Sequence, residues 1–349
     1  MRIERNETVT NAAAVFSFFY AGTLLATPLY RSGHTLARYM AMSLLIAVFL
    51  PLCVKYFENR EPCGRKGVRM VTAVMYVLAV SQPAACFVSA WTADLPRYAD
   101  EYGSLAVRLF SGLGCAACAV WAASEGKNAV AGIMTLTCLL YPLWTGVGSF
   151  ACLETGSLCR LSPPFDGMDV NEWKEIGKEL IPTAADCAVL AAFVTDGAKG
   201  GRAVRHGAGY GAAAFVILAG INVMKNLLLF GEKLTRVTAL PNLAAVRLVP
   251  MLELPEMSVI VGAVSLTVRL GVYAAVGRRM IVGICKKNAL ALSAVLPFLA
   301  GALRLLVQSN GRMPYDLPEG LLLVAAALAC VMAVIGGKRQ NNCGNDGVQ

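Results

Sequence analysis

Apolar residues run in nearly unbroken stretches of about 20 along most of this chain, and they do not alternate with polar ones as barrel strands would. A run of that length carries an α-helix across ~30 Å of hydrocarbon. Every backbone amide there must be bonded within its own segment, which a helix achieves. The pattern predicts spans at 8–28, 37–56, 69–92, 105–123, 129–150, 178–195, 207–230, 256–277, 288–307 and 319–336. The expected fold is an all-α integral membrane protein with about ten transmembrane helices in a single polytopic domain over 1–349. Two spans depart from a clean apolar run. The first is interrupted by Gly22, Thr23 and Pro28, and the sixth by Pro182, Thr183 and Asp186.

Composition agrees. A chain of 349 residues with 57% hydrophobic and 15% charged residues and a mean hydropathy of +0.59 has too little polar surface to clothe a soluble domain. Lys and Arg are retained on the cytoplasmic side during insertion. One alternating set of segments carries Arg2 and Arg5; Lys55, Arg60, Arg65, Lys66 and Arg69; Lys199, Arg202 and Arg205; Arg278, Arg279, Lys286 and Lys287; and Lys338 and Arg339. The other set is mixed or acidic, with Asp94, Asp100, Glu101, Glu154, Asp166, Asp169, Glu172, Glu175 and Glu179 outnumbering Arg97, Arg160, Lys174 and Lys178. Ten helices with both termini and the polar 337–349 tail in the cytoplasm satisfy this alternation. The net charge of +9 is thereby assigned to loops that hold orientation and touch anionic headgroups. Basic runs with interleaved aromatics are missing, so the expected partner is the lipid bilayer and not nucleic acid.

Candidate chemistry is sparse. The two histidines, His34 and His206, lie far apart, and the chain has no phosphate loop, nucleophile elbow or paired metal-ligand motif. No catalytic residue, metal or cofactor is therefore assigned, and a membrane enzyme ranks well behind a binding or transport protein. The 12 cysteines fall mostly in apolar segments, and Cys115 and Cys118 read as small packing residues. Cys152 and Cys159 lie in one loop region, and the sequence leaves open whether they pair.

The two interrupted helices, first and sixth, are five apart. That is the separation produced by a five-plus-five inverted repeat whose halves, about 8–150 and about 178–336, each begin with a broken helix. A break frees backbone groups that a small zwitterion can satisfy, which puts a ligand at Ala21, Gly22, Thr23, Leu24 and Leu25 and at Thr183, Ala184, Ala185 and Asp186. The competing reading is an ordinary kink with close helix packing. Asp186 and Arg269 fall near mid-membrane, where an ionisable side chain lines a cavity or forms a structural ion pair. Tyr76, Gln82, Ser265, Thr267 and Arg269 are further candidates for the pocket or a water path; Lys225 and Arg304 are expected to snorkel from span ends.

The stretch 231–277 places Pro241, Arg247, Arg269 and Tyr273 in a proline-led amphipathic segment followed by a helix that ends in a basic residue and an aromatic tail. Together with Ala21-Gly22-Thr23-Leu24-Leu25-Ala26-Thr27-Pro28, the total length and the span count, it resembles the spore germination permease family, the B subunits of nutrient germinant receptors within the amino acid/polyamine/organocation transporter superfamily. Leu24 replaces that pattern's second glycine, and Ala184, Ala185 and Asp186 stand where a Gly, an aromatic and a Glu are usual. The resemblance implies a receptor subunit of the spore inner membrane. It would bind an amino acid or similar nutrient at the unwound centres of helices one and six and signal to an A-type membrane subunit and a C-type lipoprotein subunit. The alternative it leaves open is an amino-acid permease working by alternating access.

Overall fold

The computed structural model describes residues 2–25, 34–58, 118, 121–122, 124–161, 168–197, 201–237, 241–248 and 255–282. The described residues are helical, with no strand among them. The helices are α1 (Arg2–Leu25), α2 (Thr35–Glu58), α3 (Lys127–Thr155), α4 (Val170–Thr195), α5 (Gly201–Val237), the short α6 (Pro241–Ala244) and α7 (Pro255–Val282). Single 3-10 turns at Leu158–Arg160 and Ala245–Leu248 follow α3 and α6. Among the described residues three stretches, Thr35–Lys55, Lys127–Leu153 and Gly201–Thr235, are long and apolar enough to cross a membrane.

Six of the ten expected spans are represented here by long helices. The spans expected at 69–92, 288–307 and 319–336 lie outside the described residues, as does nearly all of 105–123. Where helices are seen, polar turns extend them. α4 begins at Val170 and not near 178, because Asp169 and Glu172 form a reciprocal cap: Glu172 N–H donates to Asp169 Oδ1 at 2.8 Å and Asp169 N–H to Glu172 Oε2 at 3.0 Å. Hydropathy is blind to those first polar turns.

Pairs of touching residues give the helix directions. Ser17 meets Met134 and Tyr20 meets Thr145, so α1 and α3 run parallel. Gly207 lies against Thr8 and Asn222 bonds Tyr20, so α5 runs parallel to both. Lys127 Nζ donates to the carbonyls of Val194 and Asp196, so α4 runs against α3. Glu58 pairs with Arg205 at 3.2 Å while Thr35 bonds Glu232, so α2 runs against α5. α7 runs against α1, since Gly22 faces Arg269 and Phe18 faces Tyr273. α2 thus ends, and α3 begins, at the same end of the bundle.

α1 is the central helix. From Ala13 to Leu24 nearly every side chain is buried, and it touches α3, α4, α5 and α7. Its closest approach is to α5, where Gly207 and Gly211 leave no room for a side chain. A Cβ at Gly207 would stand 2.7 Å from the Thr8 carbonyl oxygen, and one at Gly211 would collide with the Ala12 carbonyl oxygen and Val15.

The structure corrects the expected helix breaks. Residues 21–25 are helical to the described end of α1, and α4 is continuous through 182–186. Thr23 Oγ1 donates to Tyr20 O within its own helix at 2.8 Å and so frees no backbone group. Pro182 is absorbed as Pro51 and Pro142 are inside α2 and α3, each removing one donor while the surrounding turns hold. The helix that does break is α5, at Gly231, whose φ of 67° and ψ of 172° suit glycine.

Gly211→Val is expected to destabilise the purified protein by about 2 kcal/mol through overpacking against α1. Gly146→Ala, where a Cβ meets open space, should leave the thermal midpoint in detergent within about a degree of the parent.

Candidate functional site

Ser265, Arg269 and Tyr273 recur every fourth residue on α7 and so share one face of it. That face meets Asp186 of α4. Arg269 Nη2 donates to Asp186 Oδ2 at 2.5 Å and to Tyr273 Oη at 2.7 Å, and the Tyr273 hydroxyl donates to Asp186 Oδ1. All three are buried, Asp186 at 9%, Arg269 at 5% and Tyr273 at 1% exposure. The guanidinium carbon lies 4.8 Å from the centre of the Phe18 ring, a cation–π contact from α1. Arg269 Nη1 abuts Gly22, where an added Cβ would occupy its place. Arg269 Nε is buried and has no hydrogen-bond partner among the described residues.

Gly22 is thus small because a guanidinium lies on it. One methyl group there forces the guanidinium to shift.

A second polar cluster joins α1, α3 and α5. Asn222 Nδ2 donates to Tyr20 Oη and, at 3.3 Å, to Thr145 Oγ1; those two hydroxyls also bond each other. Lys225 Nζ donates to Asn222 Oδ1 at 2.7 Å. One turn along, Asn226 Nδ2 donates to Asn242 Oδ1 at 2.6 Å, and Asn242 Nδ2 donates to the Thr23 carbonyl at 3.1 Å. The Tyr20 and Tyr141 rings pack 4.8 Å apart, and Tyr141 Oη lies 3.1 Å from Ser265 Oγ, which carries the polar contacts back to α7.

Of the residues expected at a ligand site, Gly22, Asp186 and Arg269 come together, and Ser265 stands one turn from Arg269. Ala21 and Leu24 are buried, while Thr183 and Ala184 are half-buried. Leu25 and Ala185 are placed only as helical backbone. Thr267 bonds the Ala263 carbonyl of its own helix at 2.9 Å. Tyr76 and Gln82 lie outside the described residues, as does Arg304. The snorkelling expected of Lys225 is corrected: its side chain turns inward and is 3% exposed. Cys152 and Cys159 are free thiols. The sequence reading passed over Phe18, Tyr20, Tyr141, Thr145, Asn222, Asn226 and Asn242. Asn222, Lys225 and Asn226 within one apolar run were the available signal, three polar groups on one helix needing partners.

The end of the bundle where α2 starts is tied by side chains. His34, in the left-handed region at φ 50°, places Nε2 3.1 Å from Glu172 Oε1. Thr35 N–H and hydroxyl both donate to Glu232 Oε1, at 2.8 and 2.7 Å, which caps α2 with a carboxylate. At the Gly231 break, the Leu228 and Leu229 carbonyls accept from the Arg160 guanidinium, and Leu228 also accepts from Ser157 N–H.

Chemically, the buried α4–α7 pair offers one anion and one cation in contact, with aromatic walls. Removing one member leaves an uncompensated charge, at a cost of about 3–5 kcal/mol, whereas replacing both by apolar groups of similar volume is close to neutral. Asp186→Asn is therefore expected to lower stability by about 3 kcal/mol, and the double variant Asp186→Leu/Arg269→Met to recover most of it. A double-mutant cycle of chemical unfolding in detergent measures the coupling directly.

No family model and no curated protein matches this chain, so its function has to be read from its residues and their geometry.

Proposed function

We propose that this protein is the transporter-like membrane subunit of a spore nutrient germinant receptor, binding an amino acid or similar small nutrient beside the Asp186–Arg269 pair. One observation carries the reading. Gly22 and Asp186, expected at the ligand site, and Arg269, expected at the pocket or a water path, come from three distant stretches and meet in a single buried cluster between α1, α4 and α7.

An α-amino acid carries an ammonium and a carboxylate, the same two charges that the pair satisfies internally. The closed pair is the resting state. A zwitterion that separates it offers Asp186 a new cation and Arg269 a new anion, so neither buried charge is left alone. The bundle would then have two arrangements, and the ligand biases them by its differential affinity. Moving a population from 1:99 to 99:1 takes about 5.5 kcal/mol of such preference, within reach of two fully desolvated charge contacts. The A-type membrane subunit and the C-type lipoprotein subunit read the shift. The ten-span, five-plus-five arrangement, the cytoplasmic termini and the location in the spore inner membrane belong to the same reading. The run of both α4 and α7 against α1, and the return of the chain to the same end between Glu58 and Lys127, are compatible with it.

Nutrient-triggered dipicolinate release from spores lacking only this gene, scored over an amino-acid panel beside a complemented control, tests the proposal. Selective loss of one nutrient response is the expected result, and unchanged germination to every nutrient overturns it. Complementation with Gly22→Leu should restore membrane abundance and leave the response at least about tenfold weaker, because the new side chain takes the space of the guanidinium.

A further inference from the structure

Lys225 is a buried cation that the Asp186–Arg269 pair does not use. It is 3% exposed on α5, six residues before the Gly231 break. Its ammonium has three N–H donors. One is spent, on the neutral Asn222 Oδ1 at 2.7 Å, and no carboxylate pairs with Lys225 among the described residues.

The groups around it on each neighbouring helix are neutral. From α1 comes the Tyr20 hydroxyl and from α3 the Thr145 hydroxyl, both tied to Asn222. Also from α3, the Cys152 thiol donates to the Lys225 carbonyl at 3.6 Å. One turn further on, the Arg160 guanidinium on the Leu228 and Leu229 carbonyls adds another positive charge. An ammonium left inside an apolar bundle without an anion costs several kcal/mol. Arg269 avoids that cost through Asp186, and Lys225 has no such partner among the described residues.

Helix α1 makes the consequence sharper. A carboxylate would have been held by amides freed at a break near Gly22, but residues 21–25 are helical and their amides bond carbonyls one turn back. The C-terminal end of a helix also repels an anion. We propose that Lys225 is a second anion-binding residue of this bundle, separate from Arg269, holding a carboxylate of a bound ligand with Asn222 and Tyr20 as its supporting hydrogen-bonding groups. The identity of the ligand as an amino acid rests on the nutrient-receptor reading. The site itself rests on the buried, unpaired ammonium.

The two are separated by one experiment on the purified full chain in lipid nanodiscs. Its thermal midpoint is titrated at constant ionic strength with acetate, propanoate and butanoate, and in parallel with the matching neutral amides, before an amino-acid panel is run. Two variants are compared with the parent. Lys225→Met removes the charge and the hydrogen bond, and Lys225→Gln removes the charge while retaining a donor for Asn222, so one remains informative if the other fails to fold. The expected result is saturable stabilisation of the parent by the carboxylates and not by the amides, with the apparent affinity for carboxylate roughly 30-fold weaker or lost in both variants.

Absence of a carboxylate effect in the parent, or its retention within about threefold in the variants, overturns the assignment. Should the monocarboxylates act through Lys225 while no amino acid stabilises the parent, the nutrient-receptor reading fails and the Lys225 site stands. Stabilisation by an amino acid that is unchanged in Lys225→Gln has the opposite meaning.

Discussion

A guanidinium and a carboxylate 2.5 Å apart inside a bundle of apolar helices set the terms for everything around them. Neither charge is tolerable there alone, so α4 and α7 are bound to one register: sliding either by a residue would strand Asp186 or Arg269 in an apolar wall. α1 conforms to that pair. Phe18 presents its ring to the cation and Gly22 withholds a side chain from it. The same helix must be narrow on its other side, where Gly207 and Gly211 of α5 admit the backbone at Thr8 and Ala12. A membrane bundle has little hydrophobic gain from helix association, since lipid is as apolar as a neighbouring helix, so close backbone approach and buried polar contacts must hold it. Both are concentrated on α1.

The architecture was legible because the membrane imposes it. Continuous apolar runs marked the cores of α2, α3, α5 and α7 to within a few residues, and the end expected for the seventh span, residue 230, falls at the Gly231 break. Helix ends were less legible. Asp169 and Glu172 start α4 by hydrogen bonds that a hydropathy reading does not register. The breaks were misread for a related reason. Glycine and proline were taken to unwind a helix, whereas lost backbone bonds weaken it only where neighbours fail to compensate, and Pro51, Pro142 and Pro182 all lie inside intact helices. Gly22 owes its size to Arg269, 247 positions away in sequence, and no local pattern reports such a contact.

The site was legible in its charges and illegible in its neutral polar groups. Asp186 and Arg269 stood out because an ionisable residue in an apolar span is costly. Tyr20, Thr145 and Asn222 did not, because a lone hydroxyl or amide in a membrane helix commonly bonds its own backbone or a neighbour. Here they bond one another across three helices, and that convergence depends on the parallel run of α1, α3 and α5. Lys225 was misjudged on position alone. Nearness to a span end favoured snorkelling, while the Asn222 side chain one turn back on the same face drew the ammonium inward.

The broken helix and the buried charges are separate features of this bundle. At Gly231 the chain breaks and frees the Leu228 and Leu229 carbonyls, yet both are taken at once by Arg160, and Leu228 also by Ser157. The segment beyond the break is held in turn through Glu232 on the first turn of α2. A helix break satisfied so fully by its own protein offers a ligand nothing. Among the described residues the buried Nε of Arg269 is without a hydrogen-bond partner, and the Lys225 ammonium has only the neutral Asn222 Oδ1. In a medium where every polar group needs a partner, unmet charge marks a site more reliably than irregular backbone does.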